Sequence, residues 1–88
     1  MIPMDSLNLS QLRPGSRAII KKILLRGKHR MKLMDMGLVE GAKIELLGVA
    51  PLGDPMELKV KGIYLSLRKE DAALIRVEPV EKEKRNAN

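Results

Sequence analysis

With 88 residues the chain has room for one domain with a single small core, and because it is 44% hydrophobic yet holds no Phe, no Trp and one Tyr, that core must be aliphatic. No cysteine is present, which excludes disulfides and thiolate metal sites, and no apolar run approaches the roughly 20 residues of a membrane span. The net charge of +6 is unevenly placed: from Leu7 through Met34 no acid interrupts Arg13, Arg17, Lys21, Lys22, Arg26, Lys28, Arg30 and Lys32, so the first half reads as a basic surface, while the signs mix after Gly48.

Residues 1–6 read as a flexible N-terminus, and with Asp5 early they do not form a secretory signal, so the expected location is the cytoplasm. Ser10 is the expected cap of a single helical turn carrying Leu9 and Leu12, and Pro14-Gly15 suits the centre of a type II turn. Arg17 to Leu25 is rich in strand formers but alternates imperfectly, because Ala18 and Ile20 share a face that Lys22 breaks before Ile23; a bulge near Lys21-Lys22 restores the pattern. Lys28 to Met36 has helical spacing, with Met31, Met34 and Leu38 at i, i+3 and i+7 and Leu33 alongside. Gly37 stops that helix, and Leu38 then folds back onto Leu33 in a Schellman ending. Gly41 suits a tight turn into the next strand.

Ala42 to Val49 reads as that strand, with Ile44 and Leu46 on one face. In Ala50-Pro51-Leu52-Gly53-Asp54-Pro55, two prolines fix φ, Gly53 can supply positive φ, and Asp54 before Pro55 is turn chemistry, so the loop holds one shape. Met56, Leu58 and Val60, then Ile63, Leu65 and Leu67, alternate with polar residues. With Lys61-Gly62 as a two-residue turn, all six apolar side chains fall on one side of a hairpin. A helical turn from Lys69 to Leu74 starts with Glu70 and Asp71, favourable near a helix N-terminus, and Ile75-Arg76-Val77 closes the set. Glu81 to Asn88 reads as a disordered charged tail. Five short strands, a short helix between the first two and brief helical turns predict a mainly β fold, a small SH3-like barrel over residues 7–80.

Arg30, Leu33, Met34, Gly37, Leu38 and Gly41, the Ala50 to Pro55 loop, Leu65-Ser66-Leu67-Arg68 and Ala72 to Val77 together resemble the FeoA family, the small cytosolic component of bacterial ferrous iron uptake. The resemblance runs from about Leu7 to Val80. It implies an SH3-like barrel that works with FeoB, the membrane permease carrying a cytosolic GTP-binding domain, and does not itself transport iron. The same fold is similar to the C-terminal domain of metal-dependent repressors of the diphtheria toxin repressor type, but this chain has no helix-turn-helix segment.

Enzyme chemistry finds no footing: Ser6, Ser10, Ser16 and Ser66 lack an evident base, His29 is the sole histidine, and no Walker-type glycine loop occurs. No cofactor is required; a weak site for a divalent transition metal would use His29 with Asp35 or Glu40, whereas Met31, Met34 and Met36 read as core or interface rather than as soft ligands. Proline-rich peptide capture needs an aromatic groove, and Tyr64 stands alone. The competing function is a basic small-barrel nucleic-acid-binding protein, which here lacks stacking residues and would bind in a salt-sensitive way. The basic face also suits an anionic membrane surface, where each Lys or Arg contributes about 1 kcal/mol. The reading preferred on these grounds is a non-enzymatic adaptor whose glycine-ended helix and rigid loop contact FeoB through Arg30, Met34, Leu38, Leu52 and Asp54. An unpaired edge strand leaves homo-oligomers open. For Gly37, Gly53 and Pro55, backbone geometry alone is explanation enough.

Overall fold

Alternation is strictest in the two strands that form the hairpin, and the computed structural model, which describes residues 7–80, pairs them as that alternation requires. The segments 1–6 and 81–88, assigned above as flexible ends, lie outside the described residues. Strand β3 (Met56–Val60) runs antiparallel to β4 (Ile63–Leu67), with Val60 opposite Ile63, Leu58 opposite Leu65 and Met56 opposite Leu67. Lys61 at φ 52° and Gly62 at φ 79° form the intervening turn; two successive positive dihedrals are those of a type I′ turn, whose twist matches that of the flanking strands. Burial fades along β4. Leu67 is buried and Leu65 half-buried, but Ile63 is 53% exposed, so it shares the core face without being covered.

The remaining strands are β1 (Arg17–Ile23), β2 (Lys43–Val49) and β5 (Ile75–Val80), and the five lie in one antiparallel sheet in the order β4-β3-β2-β1-β5. A bulge at Lys21, where Ile20 faces Val77 but Lys22 faces Arg76, returns Ile23 to the core as its break in alternation predicts. A second bulge at Leu47, between the Leu46–Leu58 and Gly48–Glu57 pairs, has no such polar marker in the sequence and turns Leu47 outward. Strand β5 extends beyond the expected Ile75–Val77 to include Pro79, tolerated because β5 ends the sheet order and the ladder can spare one donor there. Outside it, Val77 N–H donates to Leu7 C=O at 2.9 Å and Asn8 bridges to Arg76.

Helix α1 (Gly27–Asp35) connects β1 to β2. It ends as expected: Leu38 N–H bonds Leu33 C=O and Gly37 N–H bonds Met34 C=O, each at 3.0 Å, with Gly37 at φ 98°. That pair of bonds is the Schellman motif, and Leu33 and Leu38 are both buried. Of the three methionines read as core or interface, Met36 is half-buried and packs against the core, whereas Met31 and Met34 do not reach it. Met31 is 64% and Met34 40% exposed, because within this nine-residue helix Leu33 is the buried side chain. Helix α2 (Lys69–Ala72) is one turn with Ala72 buried. At the start of the domain Asn8, not Ser10, caps the 3-10 turn Leu9–Gln11: its side chain accepts from Ser10 N–H, and the Gln11 side chain accepts from Asn8 N–H at 2.8 Å. The strands curl round an aliphatic core that includes Leu9, Ile20, Leu38, Ile44, Leu58 and Ile75, and no polar or charged side chain is buried among the described residues.

Candidate functional site

Three segments singled out by the sequence meet around α2. Loop 50–55 closes on itself through Gly53 N–H to Ala50 C=O at 2.7 Å and Ala50 N–H to Pro55 C=O at 3.0 Å, with a cis Asp54–Pro55 bond, and it holds Leu52 at its tip, 96% exposed. One carboxylate oxygen of Asp54 accepts from the backbone N–H of Lys69 at 2.9 Å, which ties the loop to the first residue of α2. From the other side, Nδ1 of His29 on α1 stands 3.8 Å from a carboxylate oxygen of Asp71 on α2. Between α1 and the end of β4 lies a cavity of about 210 Å³, with His29, Lys32 and Met36 on one wall, Ser66, Arg68 and Asp71 on the other, and Leu33 and Leu67 beneath.

The residues expected to form the contact surface separate once placed. Leu38 is fully buried and so belongs to the core, not to a contact surface. Arg30 is half-buried and its guanidinium donates to Ile23 C=O at 2.8 Å, holding the start of α1 against the end of β1; it is not a free surface charge. Asp54 is exposed, but its carboxylate serves α2. Met34 and Leu52 remain open to solvent, and Met31, outside the expected set, joins Met34 one helical turn away. His29 pairs with Asp71 rather than with Asp35 or Glu40, and among the described residues no three ligating side chains come together. Asp71 and Arg68 share the cavity with His29; the sequence marks the first as a helix-start acid and the second as part of the family-like stretch, but only the fold brings them to this wall.

The basic half of the sequence does not make a uniformly basic face. Arg17 lies opposite Glu45, which lies opposite Lys59; Lys21 pairs with Glu78 at 3.3 Å. The sole tyrosine is engaged as well, with Lys59 Nζ 5.5 Å from the Tyr64 ring centre. At the junction of β1 and α1, Lys22, Arg26 and Arg30 surround a shallow hollow with no acid among its described lining residues, and Lys22 faces Arg76.

No helix among the described residues is long and apolar enough to cross a membrane. The chain is similar to the Fe(2+) transport protein A/Fe(2+) transporter FeoB fusion protein of Porphyromonas gingivalis, 40% identical over 72 residues; this spans 82% of the chain but only 8% of that relative's length. Among solved structures, FeoA from Chlorobium tepidum superposes with a TM-score of 0.83 at 38% identity, covering 90% of this chain and 75% of the other. FeoA of Stenotrophomonas maltophilia, a prokaryotic SH3 domain protein whose structure was solved in complex with zinc, matches in fold with a TM-score of 0.70 at 21% identity, covering 82% and 89% of the two chains. The fold is thus the expected SH3-like one, and with residues 7–79 matching the FeoA domain, the chain belongs to the FeoA family of ferrous iron transport.

Proposed function

We propose that this chain is a non-enzymatic, cytoplasmic accessory protein of ferrous iron uptake that docks on the FeoB permease. The observation that carries this reading is Leu52: a large apolar side chain held almost fully in water, at the tip of a loop braced by two internal hydrogen bonds and a third to α2. A mount of that kind loses little entropy on binding, which favours an anchor over an accident of exposure. Met31 and Met34 on α1, which meets α2 from its other side, add adaptable apolar surface. The fusion of the two components in the Porphyromonas gingivalis relative supports the choice of partner. Fe(II) is the cargo of that partner and needs no resident site here. Where a divalent transition metal binds this chain, His29 and Asp71 supply two ligands, too few for a tight site. Lys22, Arg26 and Lys28 near the head of α1 suit the inner membrane surface.

The test is binding to purified full-length FeoB in detergent at physiological salt. Saturable binding that survives added salt and falls with Leu52→Glu or Met34→Glu supports docking. Full-strength binding by both variants removes these side chains from the contact, and no FeoB binding alongside salt-sensitive RNA binding replaces the adaptor reading with the nucleic-acid one.

A further inference from the structure

Strand β4, Ile63-Tyr64-Leu65-Ser66-Leu67, ends the sheet order on one side. The two-residue turn makes Val60 and Ile63 a hydrogen-bonded pair, and the alternation of an antiparallel ladder extends this to Leu58–Leu65 and Met56–Leu67. The N–H and C=O groups of Tyr64 and Ser66 therefore point away from β3, and none of the four has a backbone partner in another element among the described residues. At the other end of the order, Leu7 and Asn8 cover β5, which also contains Glu78 and Pro79. Strand β4 has no charge, no proline and no bulge, the devices that blunt a strand edge.

The edge is open to solvent, with Tyr64 68% exposed, and it runs into the cavity whose far wall is α1. Lys32 on that wall and Arg68 at the end of the strand are cationic and outnumber the one carboxylate there, Asp71, which stands 3.8 Å from His29 Nδ1; Lys61 stands at the opposite end of β4. A second copy of the chain is a poor occupant. Antiparallel pairing of β4 with itself about Leu65 would bring the Lys61 turn of one copy towards Arg68 and Lys69, just past the end of the other copy's strand, in a molecule already carrying +6.

We propose that β4 receives an extended peptide segment of a partner protein, apolar at its centre and acidic at its ends, as a sixth antiparallel strand beside α1. The outward N–H and C=O groups of Tyr64 and Ser66 bond its backbone, its apolar side chains lie along Ile63 and Leu65, and its acids face Lys61 at one end and Lys32 and Arg68 at the other. This inference is independent of the docking assigned to Leu52 and Met34.

The experiment titrates the full chain with the synthetic peptide acetyl-Asp-Glu-Val-Thr-Val-Glu-Asp-amide, following backbone amides by NMR. Saturable shifts and slowed exchange at Tyr64 and Ser66, weakening as salt rises, are expected. A twin peptide N-methylated on the amides that face β4 should bind about tenfold more weakly or worse. Ser66→Pro should abolish binding while leaving the β3–β4 ladder intact, since that N–H does not donate to β3; if this variant fails to fold, the N-methyl twin decides alone. The inference is overturned by absent binding, by equal binding of the twin, or by shifts centred on Leu52. Tyr64 and Ser66 shifts that grow with protein concentration without peptide overturn it too, assigning the edge to a second copy. FeoB is absent from this assay, so its failure is separable from failure of the docking proposal.

Discussion

Leu38 and Leu52 carry the same side chain to opposite ends of the burial scale, one fully enclosed and the other 96% exposed. Both stood in the sequence as apolar residues beside a glycine, and one-dimensional pattern cannot tell a Schellman contact from a loop tip until the tertiary fold decides what lies above them. Arg30 makes the same point for charge. A cation in a basic run looks solvated, but this one is half-buried and bonded to Ile23 C=O, so Arg30→Glu would set a carboxylate against a carbonyl. It should destabilise the domain by about 1 to 3 kcal/mol, the cost of a lost charged hydrogen bond and an unsatisfied group, read as a lower urea midpoint. Leu52→Glu, by contrast, should leave that midpoint within about 0.5 kcal/mol of wild type, since nothing packs on the side chain.

Among elements, the hairpin was fully legible, because period-two alternation on both sides of a two-residue turn permits a single register that gathers the apolar residues. The Lys21 bulge was legible for the same reason: a lysine in the wrong place marks the slip. The Leu47 bulge was not, since Leu46 and Leu47 are both apolar and either satisfies the pattern. Asn8 and Ser10 are both good caps, and the choice depends on Gln11 reaching back to Asn8, a detail of side-chain geometry. Most hidden was the cap on α2, supplied by Asp54 from fifteen positions earlier. Asp54→Ala should cost about 0.5 to 2 kcal/mol in chemical denaturation, as removing an N-terminal cap does. Gly37→Ala should cost about 1 kcal/mol. The penalty there comes from φ 98° and not from crowding, since the nearest atom to an added Cβ would be Cδ of Lys61 at 3.7 Å.

For the whole molecule, charge read along the chain misleads, because antiparallel pairing folds the acid-poor first half against the mixed second half. Arg17 comes to face Glu45, and Lys21 comes to face Glu78, so the outer sheet alternates in sign where the sequence predicted a basic face. Binding to a nonspecific RNA should accordingly be weak and disappear as salt approaches physiological strength; a saturable complex persisting there would show that the β1–α1 junction acts as a phosphate-tracking surface. The same pairing brings Leu7 beside Val77, while Val80 lies across from Arg17, so the two ends of the described chain emerge along β5. A domain whose entrance and exit share one seam can be spliced into a longer polypeptide at a single point without being stretched. In such a splice it would hang from β5, the strand farthest in the sheet order from β4, with the Leu52 loop and the open edge left free to reach whatever the longer chain carries.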